Sequence, residues 1–194
     1  MPTTENKVRY GLKNVHLATC TITTDGSATF GSPVPFPGAV SLTADPDGSV
    51  EKFWADNMSY YSYNSESGYS GDLEMAYIPK SILKSFMGLQ EDANGLLYDD
   101  TDAEQPHFAL LFQFEGDMKA VRHVLYNVTA APVSLSGNTT EGANEPQTET
   151  VSISASPIYV PGVQKNTSHG RCEEGDSVYT TFFSTVHLPS ATTN

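Results

Sequence analysis

Positive charge is scarce in this sequence. Its 194 residues include 10 Lys and Arg against 23 Asp and Glu, for a formal net charge of −13. Nucleic-acid binders draw much of their affinity from Lys and Arg on phosphates, so this balance argues against that class. It argues equally against docking on an anionic membrane surface. Cysteine is nearly absent. Cys20 and Cys172 form no C-x-x-C and are too few for a disulfide framework, so they are expected to be reduced, small apolar fillers. Long apolar runs are missing too. The longest, Phe108 to Phe114, has strand length and is broken by Gln113, far short of the roughly 18 residues of a membrane span. Residues 1–9 have no apolar stretch behind their basic residues, so no secretory signal is expected and synthesis is placed in the cytosol.

Catalytic signatures are also lacking. The five histidines, His16, His107, His123, His169 and His187, are scattered, with no H-x-H, H-E-x-x-H or G-x-S-x-G. No glycine-rich phosphate loop is present. The acidic stretch Glu91, Asp92, Asp99, Asp100, Asp102 and Glu104 fails as a calcium loop. Counted from Asp100, the sixth position is Gln105 and the twelfth is Leu111, where Gly and Glu are needed. A solvated acidic loop is the expectation there. No pair of carboxylates is marked by spacing for glycosidase chemistry. No catalytic residue, metal or cofactor is therefore assigned.

What is present is period-two alternation. Phe108, Leu110, Phe112 and Phe114 alternate with Ala109, Leu111, Gln113 and Glu115. After a turn at 115–119, Ala120, Arg122, Val124, Tyr126 and Val128 alternate with Val121, His123, Leu125 and Asn127. Residues 107–131 are read as one long β-hairpin. Val151, Ile153 and Ala155 form a strand with one polar face, and Leu73, Met75 and Tyr77 another. The β-branched and aromatic stretches 15–23, 39–43, 50–55 and 178–187 also read as strands. One segment breaks the period. Ile78, Ile82, Leu83, Phe86 and Met87, with Pro79 in the first turn and Gly88 past the end, describe a short amphipathic helix over about 79–88. Asp45-Pro46-Asp47-Gly48 reads as a turn. Long polar connections run through 1–12, 25–38, 136–147 and 161–176. The length predicts a single domain, 1–194.

One cluster stands out. Tyr60, Tyr61, Tyr63 and Tyr69 are four of the chain's ten tyrosines, set among Asn, Ser and Gly. That composition belongs to adaptable contact surfaces or to sugar-stacking platforms. The plainer alternative is a hairpin that buries alternate tyrosines in its own core.

Several stretches occur in a fixed order. The chain opens with Asn6-Lys7-Val8-Arg9-Tyr10-Gly11-Leu12-Lys13-Asn14-Val15-His16. Lys52-Phe53-Trp54-Ala55-Asp56-Asn57 with Tyr60-Tyr61 follows, and then Gly68-Tyr69-Ser70-Gly71-Asp72-Leu73-Glu74 leading to Ile78-Pro79. The Phe108–Phe114 strand with Arg122-His123-Val124-Leu125-Tyr126-Asn127, Ser156-Pro157 and a strand over 179–183 complete the series. In these stretches the chain resembles the major tail proteins that build the tail tubes of long, non-contractile (siphovirus-type) phages. The stretch 99–104 and the tail after Pro189 lie outside the resemblance.

The resemblance implies a mainly β fold, a β-sandwich or small barrel with one short flanking helix and long loops and arms. It implies a structural virion protein made in the host cytoplasm. Copies would form homo-hexameric rings that stack into a tube through which phage DNA passes without specific binding. Tape measure, tail terminator and initiator proteins would be the other partners. Stacking needs an arm and an acceptor. The candidate arms are 1–14, the tyrosine loop 57–72 and the loop 161–176. The candidate subunit-contact residues are Tyr10, Tyr60, Tyr61, Tyr63 and Tyr69. Two alternatives stand beside this. One is a carbohydrate-binding or glycan-cleaving sandwich with Trp54 and the tyrosines as platform; the other is a capsid-decoration or adhesin module.

Overall fold

The computed structural model describes residues 10–116, 119–134 and 147–191. Among these described residues, fourteen strands and one helix follow in the order β1 (Tyr10–Ile22), β2 (Ala28–Phe30), β3 (Val34–Pro35), β4 (Ala39–Leu42), β5 (Asp45–Ala55), β6 (Met58–Met75), α1 (Lys80–Phe86), β7 (Gln90–Glu91), β8 (Leu97–Tyr98), β9 (His107–Glu115), β10 (Arg122–Ala130), β11 (Glu149–Ala155), β12 (Ile158–Val160), β13 (Lys165–Thr167) and β14 (His169–Cys172). The fold is mainly β with one short helix, as the sequence implies.

Ten strands form one sheet whose main path runs β2-β1-β9-β10-β11-β6-β4. The short segment 34–42 ties its two sides together. Val34 and Pro35 pair with Leu17 and His16 of β1, and the Phe36 amide donates to Val15 O at 2.8 Å. A few residues on, Ala39, Ser41 and Leu42 pair with Met75, Glu74 and Leu73 of β6. The sheet therefore curls into a small barrel. Its interior holds Leu17, Phe36, Leu73, Met75, Phe108, Leu110 and Leu125.

The expected hairpin at 107–131 forms, with β9 and β10 antiparallel. Both of its faces are buried. Phe108, Leu110 and Phe112 face the barrel. Ala109, Leu111, Val124 and Tyr126 face outward, under a second apolar layer that includes Ile158, Val160, Phe182 and Val186. Two covered faces explain why this stretch reads as a nearly continuous apolar run.

The alternation expected for β10 is interrupted once. The register with β9 slips between Leu125 and Val128, and Asn127 has φ 48°. The extra residue of a bulge flips side-chain parity, so Leu125 and Val128 both point into the barrel. The same device occurs in β1, where Asn14 has φ 55° beside a slip between Lys13 and His16. Asn is one of the few side chains that tolerates the left-handed region.

The helix forms over Lys80–Phe86, with Pro79 as its N-terminal flank and Gly88 past its end. It sets Ile82, Phe86 and Met87 against the core, and Phe86 meets Phe108 edge to face with ring centroids 5.9 Å apart.

Three expectations are corrected. Residues 178–187 form a chain of turns, not a strand, closed by bonds such as Phe182 N to Tyr179 O and Thr185 N to Thr181 O. Val178, Tyr179, Phe182, Phe183 and Val186 recur every three to four residues, the period of turns and helices. Asp45-Pro46-Asp47-Gly48 opens β5 and pairs with β6 rather than forming a turn; Pro46 is tolerated because β5 is an edge strand. The segment 57–72 is not a loop but largely β6, and 161–176 carries β13 and β14 between its turns. The polar connection 136–147 lies almost wholly outside the described residues, as do 1–9 of the candidate N-terminal arm; 10–14 of that arm begin β1.

Candidate assembly surface

β6 is longer than the barrel. Its C-terminal part lies between β11 and β4, and Tyr69 to Met75 pair with Ala155 to Glu149. Before Gly68, among the described residues, it pairs with β5 alone. The result is a two-stranded ribbon that leaves the barrel for about 30 Å. Gly68 marks the exit. Its φ is +127°, and a Cβ there would lie 1.9 Å from Ala155 O. Only glycine lets β6 cross the end of β11 this closely.

The ribbon turns at Asp56-Asn57, with φ 51° and 62°. Ala55 and Met58 pair across them. Two left-handed residues in a two-residue connection make the type I′ turn that matches strand twist. At this end Phe53, Trp54, Met58, Tyr60 and Tyr61 are each at least 61% exposed. Phe53 and Tyr61 are direct cross-strand partners and so share one face. Five large apolar side chains gathered on a ribbon with no core of its own form an unusual surface for a free chain.

The candidate tyrosines thus part company. Tyr60 and Tyr61 sit at the ribbon tip, largely exposed rather than buried in a hairpin core. Tyr69 is half-buried at the ribbon's base, where its ring lies 5.6 Å from His169. Tyr63 is in β6 and pairs with Glu51, and Tyr10 pairs with Glu115 at the start of β1. The side chains of Tyr10 and Tyr63 are outside the described residues. Sequence reasoning missed Phe53 and Met58 as members of the tip. Pairing register, not composition, puts them there.

Tyr69 also lines an open mouth of the barrel. Along β9 the helix packs near Phe108, while around Phe112 and Phe114 a cavity of about 340 Å³ opens. Leu42, Ala44, Tyr69 and Leu125 complete its apolar wall, with His123 and His169 at the edge. The two imidazoles stack at 5.4 Å and share a hydrogen bond of 3.1 Å between His123 Nδ1 and His169 Nε2. Phe112 stacks on His123 at 5.2 Å. Burial, reinforced by Arg171, holds His169 below the ordinary imidazole value. Arg171 pairs with His123 across β10 and β14, and so stands on the same face of the sheet. The mouth is therefore apolar inside, with the Arg171 cation standing beside it on the same sheet face.

The remaining histidines serve packing. His107 Nδ1 bonds Asn127 Oδ1 at 2.6 Å, which helps fix the bulge. His16 stacks on Phe183, and His187 Nε2 bonds Thr181 Oγ1. Among the described residues no three His, Cys, Asp or Glu side chains are placed to hold a metal ion. The stretch 99–104 is exposed apart from half-buried Ala103. Burial pushes the Cys20 thiol up to about 11 and raises Cys172 as well, which leaves both thiols unreactive. No helix among the described residues is long and apolar enough to cross a membrane.

The chain matches no family model, and no curated protein matches it. Among solved structures it is similar to a chain of the anti-feeding prophage baseplate, a six-fold symmetrised cryo-electron microscopy structure. The TM-score is 0.47 and the identity 11%, over 89% of this chain and 97% of that one. It is also similar to a chain of the anti-feeding prophage cap, with TM-score 0.37, identity 11%, and coverage of 89% and 99%. Likenesses of this size carry no weight in assigning a role, which rests on the chain's own residues.

Proposed function

We propose that the chain is a structural subunit of a phage tail, whose copies join into rings that stack as the tail tube. The observation that carries this reading is the ribbon of β5 and β6 with its exposed Phe53, Trp54, Met58, Tyr60 and Tyr61. Such an arm is stable in water as part of a larger surface, not on its own. Arm and barrel are different surfaces of one chain, so contacts between copies are head-to-tail. Contacts of that kind close into rings or propagate as filaments. The curled β barrel and single helix agree with the fold implied by the resemblance to tail-tube proteins. The acidic surplus suits a conduit, because like charge keeps DNA from adhering to its wall. No catalytic step is assigned, since the histidines are engaged in packing and in hydrogen bonds. A tape-measure protein, a terminator and an initiator complete the proposed partners, and the virion is the proposed location.

A glycan-binding platform is the competing use for Trp54 and the tyrosines. Sugar platforms are concave, with polar groups converging on the ligand; this tip is the end of a two-stranded ribbon. Sizing with light scattering across a concentration series, run with and without soluble polysaccharide, separates the two. Growth in mass with protein concentration supports the tail reading. A monomer at every concentration that shifts only on binding polysaccharide contradicts it.

A further inference from the structure

The self-assembly reading requires an acceptor for the ribbon tip. Resting on that reading, we infer that the open barrel mouth of one copy receives the Phe53–Tyr61 face of the hairpin tip of a second copy.

Size is the first argument. An apolar cavity of about 150 Å³ holds one benzene ring. The mouth, at about 340 Å³, takes about two. Phe53 and Tyr61 are two rings side by side on one ribbon face. Charge is the second. In a chain of net −13, the exposed Arg171 stands on the same sheet face as its cross-strand partner His123, which lines the mouth. The tip carries Asp56 at its turn. The acidic turn meets the Arg171 cation while the rings fill an apolar well.

Topology is the third. The ribbon starts at the mouth itself, since Ala44 and Tyr69 line the cavity and flank the exit of β5 and β6. The tip is carried about 30 Å from its own mouth by a continuously paired ladder. A paired ribbon of this length does not fold back on its base, so the occupant is another copy.

The test uses two variants with complementary defects. Phe53→Ala removes a ring from the tip and keeps the mouth. Ala44→Trp fills the mouth and keeps the tip. Each is expected to associate about 30-fold more weakly than the unaltered chain, the size of an interface hot spot. Mixed, they are expected to form a one-to-one dimer by sizing, because one intact tip and one intact mouth remain. A folded Ala44→Trp chain that assembles like the unaltered one overturns the inference, because association then does not use the mouth. If Ala44→Trp does not fold, the exposed change Arg171→Glu replaces it. That variant is expected to weaken association about fivefold and to recover with Asp56→Lys; unchanged association overturns the inference. An unaltered chain that never associates contradicts the self-assembly reading itself, a distinguishable result.

Discussion

Gly68 carries the connection between barrel and arm. Any side chain there meets Ala155 O at 1.9 Å while φ stays at +127°. Gly68→Ala is expected to lower stability by about 3 kcal/mol, from strain and steric overlap together. Urea titration measures it. His169 supplies a pH dependence. Its folded value lies below the ordinary 6.5 because of burial and then Arg171, with His123 stacked beside it. The unfolded chain therefore takes up the proton first. The stabilising contribution is full above the unfolded value and is lost as pH falls through 6.5 toward the folded value. Denaturation midpoints taken from about pH 8 to about pH 5 should fall for the natural chain and fall less for His169→Gln. Equal slopes would remove His169 from the account.

At the scale of elements, barrel and ribbon are separable. Val50 and Asn64 face each other across the ribbon, outside the barrel. Replacing residues 51–63 by Asn-Gly should leave a hairpin on an intact barrel. Thermal unfolding should shift by only a few degrees, and association should vanish. A variant that assembles normally would remove the tip from the account. The elements also differ in how far sequence reveals them. The 107–131 hairpin and the helix were legible because long apolar periods state their own geometry. The bulges at Asn14 and Asn127 were not, since a left-handed Asn is a backbone choice that leaves the residue pattern unmarked. The 178–187 turns were legible in principle. Their apolar residues recur at three and four, but β-branched composition outweighed spacing. The mouth was not legible at all, because β4, β6, β9, β10 and β14 meet there from distant parts of the chain.

At the scale of the molecule, charge sets the conditions for assembly. Lys13, Lys80, Lys84 and Lys119 are engaged with Glu115, Glu91 and Glu173, and these pairs leave the net charge of −13 unchanged. Copies at −13 repel one another at long range. The tip and mouth attract at short range through apolar contact. Raising salt from about 0.05 M to about 0.5 M shortens the Debye length severalfold and should speed association, as followed by light scattering. Slower association in salt would mean that ion pairs, not apolar burial, dominate the contact. Negative-stain electron microscopy of the concentrated, purified protein decides whether the chain is a self-assembling tube subunit. Hollow tubes with six-fold end views are the predicted result; a field of single particles at every concentration and salt would contradict it.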